Sequence, residues 1–229
     1  MPTELTLYYH PLAAYCWKVL IALYEAETPF KGEMLNGRPA DDATFTALWP
    51  IGKMPVLHDV ARGQVVPETS IIIDYLDQHY PGPAPMIPAD PEAAREARLW
   101  DRIFDLYVST PMQKRVSDRL RSDGQKDPAG VTDADAALDT AYALLEARMA
   151  QRTWAAGEAF TLADCAALPA LFYAEAVHPF SPEHPALAAY LDRLVARPSV
   201  RRVLAEAQPW LQYFPFHAAL NPRFAPTDR

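Results

Sequence analysis

Hydrophobic positions in this chain fall into two regimes. Through residue 80, short β-favouring apolar runs alternate with helical stretches; beyond it, apolar residues recur at helical spacing almost to the end. Leu5–Tyr9 predicts a strand, 15–25 a helix and 30–34 a second strand; Asn36-Gly37 and Pro39 mark a loop before a short helix over 41–48. Residues 55–57 and 64–66 are two further β runs joined by Ala61-Arg62-Gly63, which predicts a hairpin. A βαβ unit followed by a hairpin makes a small mixed sheet flanked by helices. Prolines 81, 83, 85, 88 and 91 then break the pattern, so 81–90 is expected to link a domain over 1–80 to one over 91–229.

The second regime predicts an all-α bundle. Leu99, Ile103, Leu106 and Tyr107 form one helical stripe, and Leu187, Tyr190, Leu191, Leu194 and Val195 another; each is expected to bury its face. The Gly-, Pro- and Asp-rich run over 123–132 separates a long helix over 133–151 from the one before it. Thr161 and Asp164, ahead of an apolar run, form a capping box, whose loss typically costs about 1 kcal/mol. The aromatic and proline-rich tail over 208–229, with Trp210, Tyr213, Phe214 and Phe216, either covers the helical core or closes over a cleft.

Composition narrows the function. Half of the 229 residues are apolar, enough for a sizeable core. A net charge of −8 without a basic cluster argues against nucleic acid or an anionic membrane as partner. No run of about 20 apolar residues occurs. Cys16 and Cys165 lie in different regions, which points to free thiols in a reducing cytoplasm. The histidines are scattered, so no metal site is expected, and no phosphate-loop glycine pattern occurs.

The run KMPVLHDVARGQVVPETSIIID, residues 53–74, is the most informative. Met54-Pro55 can hold the Met54 N–H and C=O outward for a peptide-like ligand, and Glu68-Thr69 opens the next helix. There a carboxylate side chain can take an ammonium, while a hydroxyl and unpaired N–H groups take a carboxylate. The implied ligand is a small zwitterionic peptide. Lys53, Met54, Pro55, Glu68 and Thr69 together resemble the glutathione-binding signature of the cytosolic glutathione transferases, with threonine where serine is usual. The FTLADC run over 160–165 is similar to the capping box of their helical domain. The resemblance spans roughly residues 4–205. It implies a thioredoxin-like α/β amino-terminal domain, an all-helical carboxy-terminal bundle, a homodimer, glutathione as co-substrate and an apolar electrophile in the cleft between domains.

Such enzymes hold glutathione as a thiolate, the form that attacks electrophiles. The position usual for their catalytic serine or cysteine falls on Ala13, followed by Ala14, and neither donates through its side chain. Four substitutes remain: the Tyr9 phenol, the Cys16 thiol, His10, and the backbone N–H groups of residues 13–15 at the helix start. The backbone, with or without Tyr9, is the preferred expectation. A Cys16-based thiol reductase and a binding module without turnover are the alternatives.

Overall fold

A computed structural model describes residues 5–222. The chain opens with strand β1 (Leu5–Tyr9), helix α1 (Ala14–Glu25) and strand β2 (Lys31–Met34), then short helix α2 (Ala43–Leu48) and strands β3 (Val56–Asp59) and β4 (Gln64–Pro67). The sheet order is β2-β1-β3-β4, with β1 parallel to β2 and the other pairs antiparallel. This is the βαβ unit and hairpin that the sequence predicts. Helix α3 (Thr69–His79) follows β4 and packs with α1 on one face. Side-chain alternation sets the two faces of β1. Leu5 and Leu7 enter the main core under α1, while Tyr8 packs on Phe45 of α2.

The helical half runs through α4 (Pro91–Ile103), a π-helical segment Phe104–Ser109, α5 (Thr110–Arg119), α6 (Pro128–Met149), α7 (Leu162–Val177), α8 (Pro185–Val195) and α9 (Pro198–Ala207). At its centre lies α7, buried nearly all round, and α1 packs directly against it. Leu187, Tyr190, Leu191 and Leu194 are fully buried, as their spacing predicts, and Val195 of the same stripe is half-buried. The other stripe is a correction. Ile103 packs half-buried against the core, but Leu99, Leu106 and Tyr107 are 51–60% exposed, and the buried face instead carries Ala97, Trp100, Phe104 and Val108. Ala97, Trp100 and Phe104 are themselves at helical spacing and form a competing stripe, and the π-helical winding over 104–109 widens the period beyond Phe104. Helix α6 also begins earlier than expected. Pro128 sits in its first turn and the Asp127 side chain caps it, accepting from the Gly130 N–H at 3.0 Å.

Two buried polar hubs lock these elements. Lys18 of α1 is fully buried and ion-pairs with Asp101 at 2.5 Å and Asp105 at 2.8 Å, while also donating to Ser70 Oγ at 3.0 Å. Ser70 in turn donates to Asp101 at 2.7 Å, so α1, α3 and α4 meet on one charge cluster. The second hub is Asp164, in the expected capping box with Thr161. Its carboxylate accepts from the Thr161 N–H at 2.9 Å, the Ala155 N–H at 2.9 Å and the Tyr190 hydroxyl at 2.6 Å. Burial holds the Asp164 carboxyl above its ordinary value against these bonds.

Candidate functional site

A cleft of about 690 Å³ opens where the start of α1, the loop before β3, α5 and the tail converge. Leu12, Ala13, Ala14 and Tyr15 form one wall, Gly52, Lys53 and Met54 a second, and Met112, Val116 and Leu120 a third. Tyr213, Phe214 and Pro215 of the tail complete it. Leu12, Tyr15 and Met112 line this cleft, whereas Tyr107 does not and is 60% exposed.

The α1 wall is built from a helix start with no side-chain cap. Ala13 occupies the N-cap position in an extended conformation and bears no hydroxyl or carboxylate. The Cys16 and Trp17 N–H groups bond the Ala13 carbonyl at 2.9 and 3.3 Å; among the described residues the N–H groups of Ala14 and Tyr15 have no partner, and both residues line the cleft. Omitting a cap usually costs about 1 kcal/mol, and here it leaves donors and the positive end of the helix dipole open to an anion. Tyr15 also reaches toward the helical half, with a polar side-chain contact to Ser109. Its phenol is held above the ordinary value by burial first, then by the charge of Asp105; the Glu68 carboxylate acts in the same direction.

Opposite stands Met54. Among the described residues its N–H and C=O have no hydrogen-bond partner, since it lies outside the ladder that begins at Val56. The Met54-Pro55 peptide bond is cis. Lys53 is exposed at the rim, and Gly52 before it adopts φ +66 with its Cα side against Ala40, where a Cβ would meet backbone at 3.0 Å.

Glu68 and Thr69 start α3. Glu68 is the N-cap residue at φ 67 and ψ 118, left-handed backbone that a side chain rarely adopts, and its exposed carboxylate makes no cap bond. Strain of this kind, about 1–3 kcal/mol, concentrates at ligand sites. Thr69 is buried beside it, and Ser70 ties this helix start to Asp101.

Neither side chain expected near a bound thiol lines the cleft. Tyr9 falls on the α1 face of the sheet with Leu5 and Leu7, and its ring lies on Gly32 of β2. Its phenol is raised by burial and then by Glu206 of α9. Cys16 is fully buried within α1, where loss of hydration pushes its thiol up to about 12. His10 bonds its own loop, with Nδ1 accepting from the Leu12 N–H at 3.0 Å. Sequence reasoning missed both anchors of this loop, the local bond from Trp17 Nε1 to the Pro11 carbonyl and the long-range bond from the Tyr173 hydroxyl to the Leu12 carbonyl. Among the described residues, no three His, Cys, Asp or Glu side chains gather as a metal site, and no helix is long and apolar enough to cross a membrane.

Comparison with known proteins places both halves in one family. Residues 7–84 match the glutathione S-transferase N-terminal domain and residues 99–198 the glutathione S-transferase C-terminal domain. Over 221 residues the chain is 32% identical to FtsZ-localized protein A of Caulobacter vibrioides, covering 92% of this chain and 95% of that one. It is 28% identical to glutathione S-transferase GstB of Escherichia coli over 82% of this chain and 91% of the relative. Among solved structures, a glutathione S-transferase from Methylobacterium radiotolerans in complex with glutathione sulfonate superposes with a TM-score of 0.75. The two are 29% identical, over 87% of this chain and 93% of that one.

Proposed function

We propose that this chain, which belongs to the cytosolic glutathione S-transferase family, binds reduced glutathione in the cleft and conjugates its thiolate to an apolar electrophile. One observation carries the proposal: among the described residues, Ala14 and Tyr15, whose N–H groups are unpaired, line the same cleft as Met54, whose N–H and C=O are unpaired. Met54 pairs with the backbone of the bound peptide. Glu68 takes its ammonium, the Thr69 hydroxyl and the α3 N-terminus take the adjacent carboxylate, and Lys53 takes the other. The sulfur then lies against α1, whose N–H groups favour the thiolate. Apolar Leu12, Met112, Val116 and Leu120 suit an uncharged electrophile: its reacting atom forms the new bond to sulfur either as a leaving group departs with the electron pair of the broken bond, or as a conjugated double bond shifts its pair to an atom that water then protonates.

The same proposal assigns glutathione binding to residues 1–80, the connection to 81–90 and the electrophile wall to 91–229. Tyr9 and Cys16 are left with packing roles, because both lie outside the cleft and burial disfavours their ionised forms. A second copy of the chain is the proposed partner. Ile71 of α3 and Leu99 of α4 are exposed on helices held together by the Asp74–Arg98 ion pair and the Ser70–Asp101 bond, an apolar face suited to self-association.

The test is calorimetric titration with reduced glutathione. Removing one charge-assisted contact costs about 1.5–3 kcal/mol, so Glu68→Ala should weaken binding roughly 10- to 150-fold. No heat with the unmodified protein refutes the proposal. A binding module without turnover is the second reading. It is favoured by the absence of a side-chain donor at Ala13 and by a relative, matched over 92% of this chain, whose name describes localisation. A bound thiol with an unshifted pKa would select it.

A further inference from the structure

The loop that aims the Ala14 and Tyr15 N–H groups consists of two consecutive peptide planes, and each is held at both ends. In the Pro11–Leu12 peptide, the carbonyl accepts from Trp17 Nε1 at 2.5 Å and the N–H donates to His10 Nδ1 at 3.0 Å. In the Leu12–Ala13 peptide, the carbonyl accepts from the Tyr173 hydroxyl at 2.8 Å and the N–H donates to the His10 carbonyl at 3.0 Å. A peptide plane with both polar groups bonded cannot rotate without breaking one.

The side chains that supply these bonds are themselves covered by the tail. Trp210 stands edge-on to the His10 ring at 4.8 Å, and Phe214 packs on the Tyr173 ring at 4.9 Å. Tyr173 also touches Trp17 and Phe172, each about 5 Å away. Phe214 is buried, Trp210 half-buried, and neighbouring Tyr213 and Pro215 line the cleft. One short segment therefore forms a cleft wall and braces the loop across from it.

We propose that Trp210 and Phe214 of the tail, acting through His10 and Tyr173, are positioning residues that fix the direction of the Ala14 and Tyr15 N–H groups at the thiol position. This rests on the glutathione-binding reading for its chemistry, though not for its geometry. A preorganised donor stabilises a thiolate without reorganising when the charge appears, whereas a swinging peptide plane loses part of that stabilisation.

The experiment uses the full chain with Trp210→Ala, Trp210→Phe and Tyr173→Phe. Hydrogen exchange is followed residue by residue, and the ionisation of bound glutathione by thiolate absorbance against pH. Trp210→Ala should accelerate exchange of the Leu12 amide, and Tyr173→Phe that of the Ala13 amide, each about tenfold or more and without comparable change elsewhere. Both should raise the bound-thiol pKa by about one unit, while Trp210→Phe, which keeps a ring on His10, restores the parent behaviour. If the parent binds no glutathione, the functional reading fails and the exchange data alone decide the positioning role. Unchanged Leu12 and Ala13 exchange in both variants, or acceleration spread evenly over the chain, overturns it.

Discussion

Replacing Lys18 with methionine tests how the two halves of the molecule are joined. The lysine is fully buried, and its ammonium is shared by Asp101 and Asp105 while bonding Ser70. Methionine fills a similar volume, so packing changes little, but two carboxylates lose their main countercharge. Breaking a buried pair from one side costs about 3–5 kcal/mol. Some compensation survives: Asp101 keeps the Ser70 hydroxyl at 2.7 Å, and Asp105 keeps Arg102 at 3.1 Å. Arg102 is half exposed, and screened pairs contribute only about 0.2–1 kcal/mol. The expected loss is therefore near the lower bound, about 3 kcal/mol by urea unfolding at neutral pH. Its pH dependence supplies a sign. Burial already holds the Asp105 carboxyl above its ordinary value, and losing Lys18 raises it further. A carboxylate whose folded pKa exceeds the unfolded one, about 3.9, loses stability as pH rises between the two. The deficit of Lys18→Met should thus shrink as pH falls from about 7.5 to 5. A loss below about 1 kcal/mol, or one that grows on acidification, would refute the buried charge cluster as the joint.

Cys16→Ala should retain glutathione-dependent turnover, and native Cys16 should resist a thiol reagent until the protein unfolds; loss of turnover would restore a thiol mechanism. Asp164→Ala strips partners from two buried N–H groups and the Tyr190 hydroxyl, and should cost about 3–5 kcal/mol, read as a melting point lowered by roughly 10 °C; a change under about 2 °C contradicts the hub. For His10, burial lowers the imidazole pKa, so the neutral ring's contribution is full above the unfolded value of about 6.5 and fades as pH falls below it toward the folded value. The stability difference between the protein and His10→Phe should therefore narrow between about pH 7.5 and 5; a constant difference excludes the Nδ1 acceptor role.

Local patterns carried the strands, the hairpin, the capping box and the Lys53–Thr69 run, because each depends on residues close in sequence. What escaped depends on contacts across long separations. Asp101 and Asp105 look like surface acids on a helix until Lys18 is brought onto them, and Ala97, Trp100, Phe104 and Val108 form a second helical-spacing stripe that local pattern does not rank above Leu99 and Leu106. Tyr9 illustrates a competing cue. Motif position suggested a phenol near sulfur, whereas simple alternation with Leu5 and Leu7 points it at the α1 face, where the structure has it. The bond from Tyr173 to the Leu12 carbonyl, across 161 positions, left no mark in either segment's pattern.

Ultraviolet titration of bound glutathione decides whether backbone N–H groups at Ala14 and Tyr15 hold it as the thiolate. Saturable binding is expected, with a bound-thiol pKa at least about one unit below the ordinary thiol value of about 8.5, unchanged in Tyr9→Phe and Cys16→Ala. A bound thiol that titrates at its free value, or a shift abolished by either substitution, would contradict that backbone role.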